Sequence, residues 1–202
     1  MAAHFSQVVE IRDAVVDGDV DATRSPARWL ASHKGEDFPM PGAADAVERM
    51  RSEGRIILAQ KEIMDIAQSA ARLGATCGAC HTTVKDGPTF KVPAEPPMAA
   101  AGATPEAHMV RHAWASERLW EGLIGPSEAS WILGAAALNS TPMDFGPAGS
   151  APPQAAELEK KVIELAKSAR EAHTLPDRAA VYGQLLQTCA ACHTYLGMRM
   201  SR

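Results

Sequence analysis

The 202-residue sequence lacks the features that mark several large classes of protein. It has no run of about eighteen apolar residues, so no segment is predicted to span a membrane. It has no phosphate-binding loop, no nucleophile elbow and no carboxylate pair spaced for acid-base chemistry, which argues against an enzyme. The formal charge of −4 disfavours nucleic acid and anionic lipid as partners.

The sequence also lacks any sustained alternation of apolar and polar residues, which argues against strands. Ala, Leu, Glu, Arg and Gln dominate instead, and these residues favour helix. We therefore predict an all-α protein. The predicted helical segments cover residues 1–16, 20–33, 43–59, 61–84, 105–124, 126–138, 154–172 and 175–197.

Cysteine is scarce, and all four cysteines fall into two copies of one motif. The stretch TCGACHTTV occupies residues 76–84, and TCAACHTYL occupies residues 188–196. No cysteine remains for a structural disulfide. In a helix, positions i, i+3 and i+4 share one face, so the two thiols and the imidazole of each motif would point into the same space. The residues concerned are Cys77, Cys80 and His81 in the first copy, and Cys189, Cys192 and His193 in the second.

C-x-x-C-H is the attachment signature of c-type haem, in which two thiols bind the porphyrin edge and the histidine binds iron. A thioredoxin-type dithiol is the first rival, but it requires neither the following histidine nor a helical context. A four-thiolate zinc site is the second rival. The pairs lie 112 positions apart, and the histidine recurs at the same offset, so two covalently attached haem c groups are the better interpretation.

The repeated order of motifs along the chain indicates a tandem duplication. Each half begins with an M-x-x-H element and continues through a stretch with Ala and Trp, a Pro-Met pair and an Ala- and Glu-containing segment. Each half then ends in the C-x-x-C-H helix. We predict a first haem domain at residues 1–87, a proline-rich linker at 88–104 and a second haem domain at 105–202. A cut in the linker is expected to leave two folded pieces.

Each half resembles the class II c-type cytochromes, the cytochrome c′ type, in which C-x-x-C-H lies near the end of the fourth helix of a four-helix bundle. The resemblance implies an all-α fold of two tandem four-helix bundles, each binding one covalent c-type haem. It also implies that the six motif residues attach and proximally ligate the haems. In that family the first helix faces the distal side of the haem.

The first helix of each half carries an apolar stripe that also contains a histidine. The stripes are Met1, His4, Phe5, Val8, Ile11 and Val15, and Met109, His112, Ala113, Ser116, Leu119 and Leu123. A buried imidazole needs a partner, whereas a buried thioether does not. We therefore favour His4 and His112 as distal iron ligands over Met1 and Met109, with an open distal site as the remaining alternative. A hydrogen bond to a haem propionate or a carbonyl would equally satisfy the histidines.

The remaining histidines, the tryptophans and two further methionines are not favoured as iron ligands. We predict that His33, His108 and His173 are solvent-exposed or capping, and that the four tryptophans pack in the core or against haem. Met40 and Met143 recur beside prolines and are weaker candidates for distal ligation.

The sequence thus predicts a soluble, exported dihaem cytochrome that passes single electrons between redox protein partners and is not an enzyme. Export implies a periplasmic or other extracytoplasmic location, and because residues 1–9 have no leader pattern we expect a mature or trimmed chain. One alternative is a gas-binding or small-molecule-reactive haem protein with an open distal site. Another is a haem subunit of a larger respiratory or photosynthetic complex, docked to a membrane redox partner.

Overall fold

The structure is a computed structural model, and it describes residues 2–33, 42–85, 87–92, 94–96, 105–139 and 152–199. Residues 93 and 97–104 of the predicted linker therefore lie outside the described residues, as do residues 140–151 of the second half. Met1, Met40 and Met143, three of the candidate distal ligands, also lie outside them.

The described residues form eight α-helices, one 3₁₀ turn and no strand, which confirms the all-α prediction. The helices of the first half are α1 Ala2–Val16, α2 Arg24–Ser32, α3 Ala43–Ala59 and α4 Ile63–Val84. Those of the second half are α5 Pro105–Ile124, α6 Glu128–Leu138, α7 Pro153–Glu171 and α8 Leu175–Leu196. All eight predicted segments are present, most of them within two residues of the predicted bounds.

Local sequence explains where several helices begin. Thr174 caps α8, because its side chain accepts a hydrogen bond from the Asp177 amide at 3.3 Å. Ser127 caps α6 in the same way, through the Ser130 amide at 3.2 Å. The predicted segment 20–33 is divided instead: a 3₁₀ turn at Asp21–Thr23 precedes α2, so Pro26 lies in the first turn, where its missing N–H is harmless.

Within each half, consecutive helices contact one another and the last helix returns to the first. In the first half α1 contacts α2, α2 contacts α3, α3 contacts α4 and α4 contacts α1. The second half repeats this closed ring of contacts through α5, α6, α7 and α8. The repeated order of elements in the sequence therefore corresponds to a repeated order of helix contacts.

The two halves also pack closely against each other. α4 and α8 form the most extensive contact between any two helices, and α4 also contacts α5 while α1 contacts α8. Gly74 on α4 permits this approach, since a Cβ there would lie 2.6 Å from the Trp120 ring on α5. Gly183 on α8 likewise faces the Gln68 side chain on α4. A single apolar core therefore runs through both halves.

Polar contacts join the halves at the edge of this core. Arg12 on α1 donates to Glu117 on α5 at 2.6 Å, and its guanidinium lies 5.5 Å from the centre of the Trp120 ring. The Gln187 side chain on α8 donates to the Met64 carbonyl on α4 at 2.7 Å. These side chains therefore link α1 to α5 and α8 to α4, across the contact between the halves.

Two tryptophans are fully enclosed, which agrees with their predicted core role. Trp120 lies at the contact between the halves, tilted against Tyr182 with ring centres 5.6 Å apart. Trp131 on α6 donates its indole N–H to the Ala169 carbonyl at 2.7 Å. Both rings contribute large apolar area to the core, and the Ala169 carbonyl satisfies the indole N–H of Trp131.

The predicted first-helix stripes are too wide by one position. Val8, Ile11 and Val15 are buried, but Phe5 is 47% exposed. Ala113, which occupies the same place in the second stripe, is exposed as well. Both residues follow the stripe histidine directly, so they lie one step around the helix, past the edge of the buried face.

Candidate functional site

The first C-x-x-C-H motif lies in the last turns of α4. Cys77, Cys80 and His81 are each half-buried, and both cysteines are free thiols. The motif faces the second half of the chain, because a Cβ on Gly78 would lie 2.2 Å from the Leu123 carbonyl oxygen at the end of α5. The helical prediction therefore holds for the first motif, and its surroundings include the other half.

His81 is held by a hydrogen bond that it donates to that same helix end. Its Nδ1 lies 2.7 Å from the carbonyl oxygen of Ile124, the last residue of α5. A carbonyl only accepts, so Nδ1 carries a proton, and the tautomer that this contact selects has its lone pair on Nε2. Metal-ligating histidines in proteins are commonly held in this way, with one nitrogen donating to a carbonyl and the other free to bind.

The second motif occupies the matching place on α8. Cys189 and Cys192 are half-buried free thiols, while His193 is only 5% exposed. Neither ring nitrogen of His193 makes a hydrogen bond of normal geometry. The carbonyl of Val16, the last residue of α1, faces the ring, together with the Asp17 carboxylate. Burial lowers the pKa of His193, and these two groups partly oppose that change.

Burial keeps the thiols of both motifs protonated. It raises the pKa of Cys77 and of Cys189 to about 12, with a smaller contribution from the second cysteine of each pair. It also raises the pKa of Cys80 and Cys192. Thiols used in disulfide exchange have a lowered pKa, because the thiolate is the nucleophile. The environment of both pairs therefore argues against a thioredoxin-type function.

The structure brings the predicted distal histidine of the second half into the neighbourhood of its motif. The His112 side chain on α5 is 14% exposed, and its Nε2 lies 3.6 Å from the Glu159 carboxylate on α7. Burial lowers the pKa of His112 to about 4, and the nearby His108, Arg111 and His193 side chains add to that effect. His112 is thus a neutral imidazole within electrostatic reach of His193.

In the first half, the predicted distal histidine belongs to a cluster of three rings. His4 lies edge-on to Trp29, with ring centres 5.3 Å apart, and edge-on to His33 at 4.3 Å. His33 also stacks on Trp29 at 4.5 Å. His4 therefore lies at the contact of α1 with the end of α2. The described alternative ligand, Met109, is half-buried near the start of α5.

Sequence reasoning misassigned one of the three histidines that were predicted to be solvent-exposed or capping. His108 is buried, with 8% exposure, and lies close to His112 one helical turn away. His33 is half-buried against Trp29 and is the C-cap residue of α2, which agrees with the predicted capping position. His173 is exposed, as predicted. The spacing of His108 and His112, four residues apart on one helix, was a signal in the sequence that both would share a face.

Glu159 is a further residue that the sequence did not single out. It is buried, lies opposite His112 and raises the pKa of both Cys189 and Cys192. A buried carboxylate beside a neutral imidazole can orient the imidazole, as carboxylates do for metal-ligating histidines. The two helix-end carbonyls, of Ile124 and Val16, were equally unpredictable because every residue has a carbonyl.

The described ranges, the two motifs included, contain no group of three or more His, Cys, Asp or Glu side chains arranged to hold a metal ion by themselves. None of the described helices has the length and apolar character that crossing a membrane requires. Comparison with known proteins gives no relative: no family model, no curated protein and no solved structure matches the chain.

Proposed function

We propose that the protein is a dihaem c-type cytochrome that carries electrons one at a time between redox protein partners. The observation that carries this proposal is the repeated C-x-x-C-H motif at the end of the last helix of each half. In each copy the motif histidine faces the terminal carbonyl of a first helix of the other half. Chance duplication of a dithiol would not require the histidine or its matched surroundings.

The side chains present fit a covalently held haem. His81 has its Nε2 lone pair free because Nδ1 donates to Ile124, and His193 has two buried ring nitrogens that lack a hydrogen bond of normal geometry. A buried polar atom without a partner is costly, and an iron ligand would remove that cost. Two protonated thiols stand beside each histidine.

The cysteines would attach the group and the histidines would hold the iron. Each thiol would hold the haem through a thioether: addition of its S–H across one vinyl group would replace an S–H bond and a carbon–carbon π bond by a C–S and a C–H bond, with no oxidant consumed. Cys77 and Cys80 would hold the first haem, and Cys189 and Cys192 the second. His81 and His193 would be the proximal ligands.

When bound, each haem supplies an iron that cycles between the ferric and ferrous states by taking up and releasing one electron. The chain contributes the ligands, the burial and the charges that set the potential. We propose His112 as the distal ligand of the second haem and His4 as that of the first, with Met109 and Met1 as the alternatives. The neutral state and burial of His112 support its role, because a protonated imidazole cannot bind iron.

The helix contacts support a housing of two four-helix bundles, one for each haem. Each half closes a ring of contacts through its four helices, and bundles hold cofactors among the side chains of facing helices. We propose that α1–α4 house the first haem and α5–α8 the second, within the predicted boundaries 1–87 and 105–202. Covalent haem attachment further implies a periplasmic or other extracytoplasmic location.

The proposal is tested by counting haems in motif variants. The chain is expressed in a bacterial host that exports it and attaches haem, and haem per chain is measured by the pyridine haemochrome absorbance of denatured protein. The wild type should carry two haems, Cys77→Ser with Cys80→Ser should carry one, and Cys189→Ser with Cys192→Ser should carry one. Haem that is extracted by acid-acetone from the wild type, or a count unaffected by either pair of substitutions, would refute covalent attachment at these motifs.

A further inference from the structure

We propose that each proximal histidine is positioned by the other half of the chain, so that the two haem sites are built in common. This inference rests on the proposed function. It starts from the hydrogen bond between His81 and Ile124, which joins the last helix of the first half to the first helix of the second. The motif and its anchor therefore belong to different halves.

A related arrangement occurs at the second motif with the halves exchanged, although no hydrogen bond of normal geometry joins His193 to its neighbour. His193 belongs to the second half, and the carbonyl that faces its ring belongs to Val16 of the first half. Val16 and Ile124 occupy equivalent places in the duplication, since each lies fifteen residues after the methionine that opens its M-x-x-H element. Each is also the last residue of its helix. The ends of α1 and α5 therefore lie beside the motif helix of the other half, which indicates an approximate two-fold relation between the sites.

Glycines next to both contacts keep the helix ends close. Gly78, within the first motif, lets the end of α5 approach α4, because a Cβ there would lie 2.2 Å from the Leu123 carbonyl oxygen. Gly18 lets the end of α1 approach α8, because a Cβ there would lie 2.7 Å from the Thr194 hydroxyl, next to His193. The positive φ of 69° at Gly18 also favours glycine.

A helix-end carbonyl suits this positioning role for two reasons. The last carbonyls of an α-helix have no partner inside the helix, so they are available to accept from an imidazole N–H. They also carry the negative end of the helix dipole, which stabilises positive charge nearby. A carbonyl that accepts from Nδ1–H raises the basicity of Nε2, which favours ferric iron and lowers the reduction potential. Each half would therefore set the potential of the haem in the other half.

The first test moves the anchor of His81 without changing any candidate ligand. Gly78→Ala converts C-G-A-C-H to C-A-A-C-H, the form already present in the second motif, so attachment should proceed. The new methyl group displaces the end of α5 and lengthens the His81–Ile124 hydrogen bond. The potential of the first haem should rise while that of the second stays unchanged. The hydrogen-exchange rate of the His81 ring N–H, monitored by NMR of the oxidised protein, should increase about tenfold, as the loss of one ordinary hydrogen bond predicts.

The matched control is Ala190→Gly, which makes the reverse change at the equivalent position of the second motif. It inserts no atom, so both potentials and both ring N–H exchange rates should stay as in the wild type. The signals of the two haems are assigned with the single-haem cysteine variants described above. An unchanged first haem in Gly78→Ala would overturn the proposal.

The second test places the substitution in one half and reads the haem of the other. Gly18→Ala lies in the first half, and it should shift the potential and ring N–H exchange of the second haem only. Gly197→Ala is its control, because Gly197 has a similar φ of 67° but nothing within 4 Å of an added Cβ. A shift confined to the first haem would contradict the crossed arrangement.

The outcomes separate this inference from the function on which it rests. A wild-type chain without covalent haem refutes the proposed function itself. A wild type with two haems, combined with variants that alter the wrong haem or neither, refutes only the crossed positioning. If Gly18→Ala does not fold, Gly78→Ala and Ala190→Gly decide the question alone.

Discussion

His112 is the residue on which the choice between electron carrier and gas binder depends. It lies on the buried face of α5, near His193 and opposite Glu159. An imidazole on both sides of the iron leaves no open position for a gas, whereas loss of one imidazole creates such a position. The distal residue therefore separates the two functions experimentally.

Replacing His112 with alanine should open the second haem alone. That haem should become high-spin and bind carbon monoxide, while the first haem keeps its wild-type spectrum. His4→Ala should do the converse, and His173→Ala, at an exposed histidine, should change neither. Optical spectra of oxidised and reduced protein, with and without carbon monoxide, give the readout. A low-spin second haem in His112→Ala, or a thioether-to-iron charge-transfer band in the wild type, would assign the position to methionine instead.

The spectrum of the second haem should not change with pH between 8 and 5. Burial lowers the pKa of His112 from 6.5 to about 4, so the ring stays neutral throughout this range. Because the folded state then binds fewer protons than the unfolded state between about pH 4 and 6.5, acid should weaken folding progressively in that window. Optical titration at constant ionic strength measures the first effect. A spectral transition with a midpoint near 6.5 would show that His112 titrates as an exposed residue.

Among individual residues, the sequence predicts those whose side chains have distinctive chemistry. It does not predict those that contribute only because the fold places them next to a motif. The motif cysteines and histidines follow from spacing alone. The anchors at Ile124 and Val16 do not, because they act through backbone carbonyls that come from the other half. His108 was missed because its burial depends on how α5 packs, which a histidine near a helix start does not reveal.

The helices themselves were the most predictable elements. Ala- and Leu-rich segments between proline-containing loops have one dominant local preference, and caps such as Thr174 fix their starts. The width of a buried stripe was less predictable. Phe5 shows why: a helix position next to the buried face reads as core by residue type, but the neighbouring helix decides whether it is covered.

The approach of α4 to α5 gives a direct test of element packing. Gly74→Ala should lower the free energy of unfolding by about 1–3 kcal/mol, since an added Cβ would lie 2.6 Å from Trp120. The higher helix propensity of alanine offsets less than about 1 kcal/mol of this. Urea unfolding measures the change.

The partner substitution tests whether the cost comes from this contact. Trp120→Phe makes room beside Gly74, so the double variant should be less destabilised than the sum of the two single variants. Additive effects would mean that Gly74 and Trp120 do not limit the packing of α4 on α5.

For the whole molecule, packing between the halves alters an expectation drawn from the sequence. The proline-rich stretch 88–104 predicts two pieces that separate once it is cut. The contact of α4 with α8, together with one shared core, predicts that the pieces stay together. The duplication could be predicted from the sequence, but the contact surface between the halves could not. That surface consists of the same types of apolar residue as the core of each half.

Limited proteolysis within 88–104 should therefore leave a complex that elutes at the position of the intact chain. Size-exclusion chromatography of the cut protein, under native conditions, makes the measurement. Dilution or added urea should be needed to release the halves. Immediate separation into two independently folded pieces would show that the contacts between α4 and α8 contribute little to stability.

The most direct test of the central claim is the mass of the intact chain after denaturation. The polypeptide is 21.4 kDa, and denaturation removes any group held only by non-covalent contacts. Protein exported and matured in a haem-attaching host should exceed the polypeptide mass by two haems. Peptide mapping should place one on the peptide with Cys77 and Cys80 and the other on the peptide with Cys189 and Cys192. A mass equal to the polypeptide alone would contradict the account.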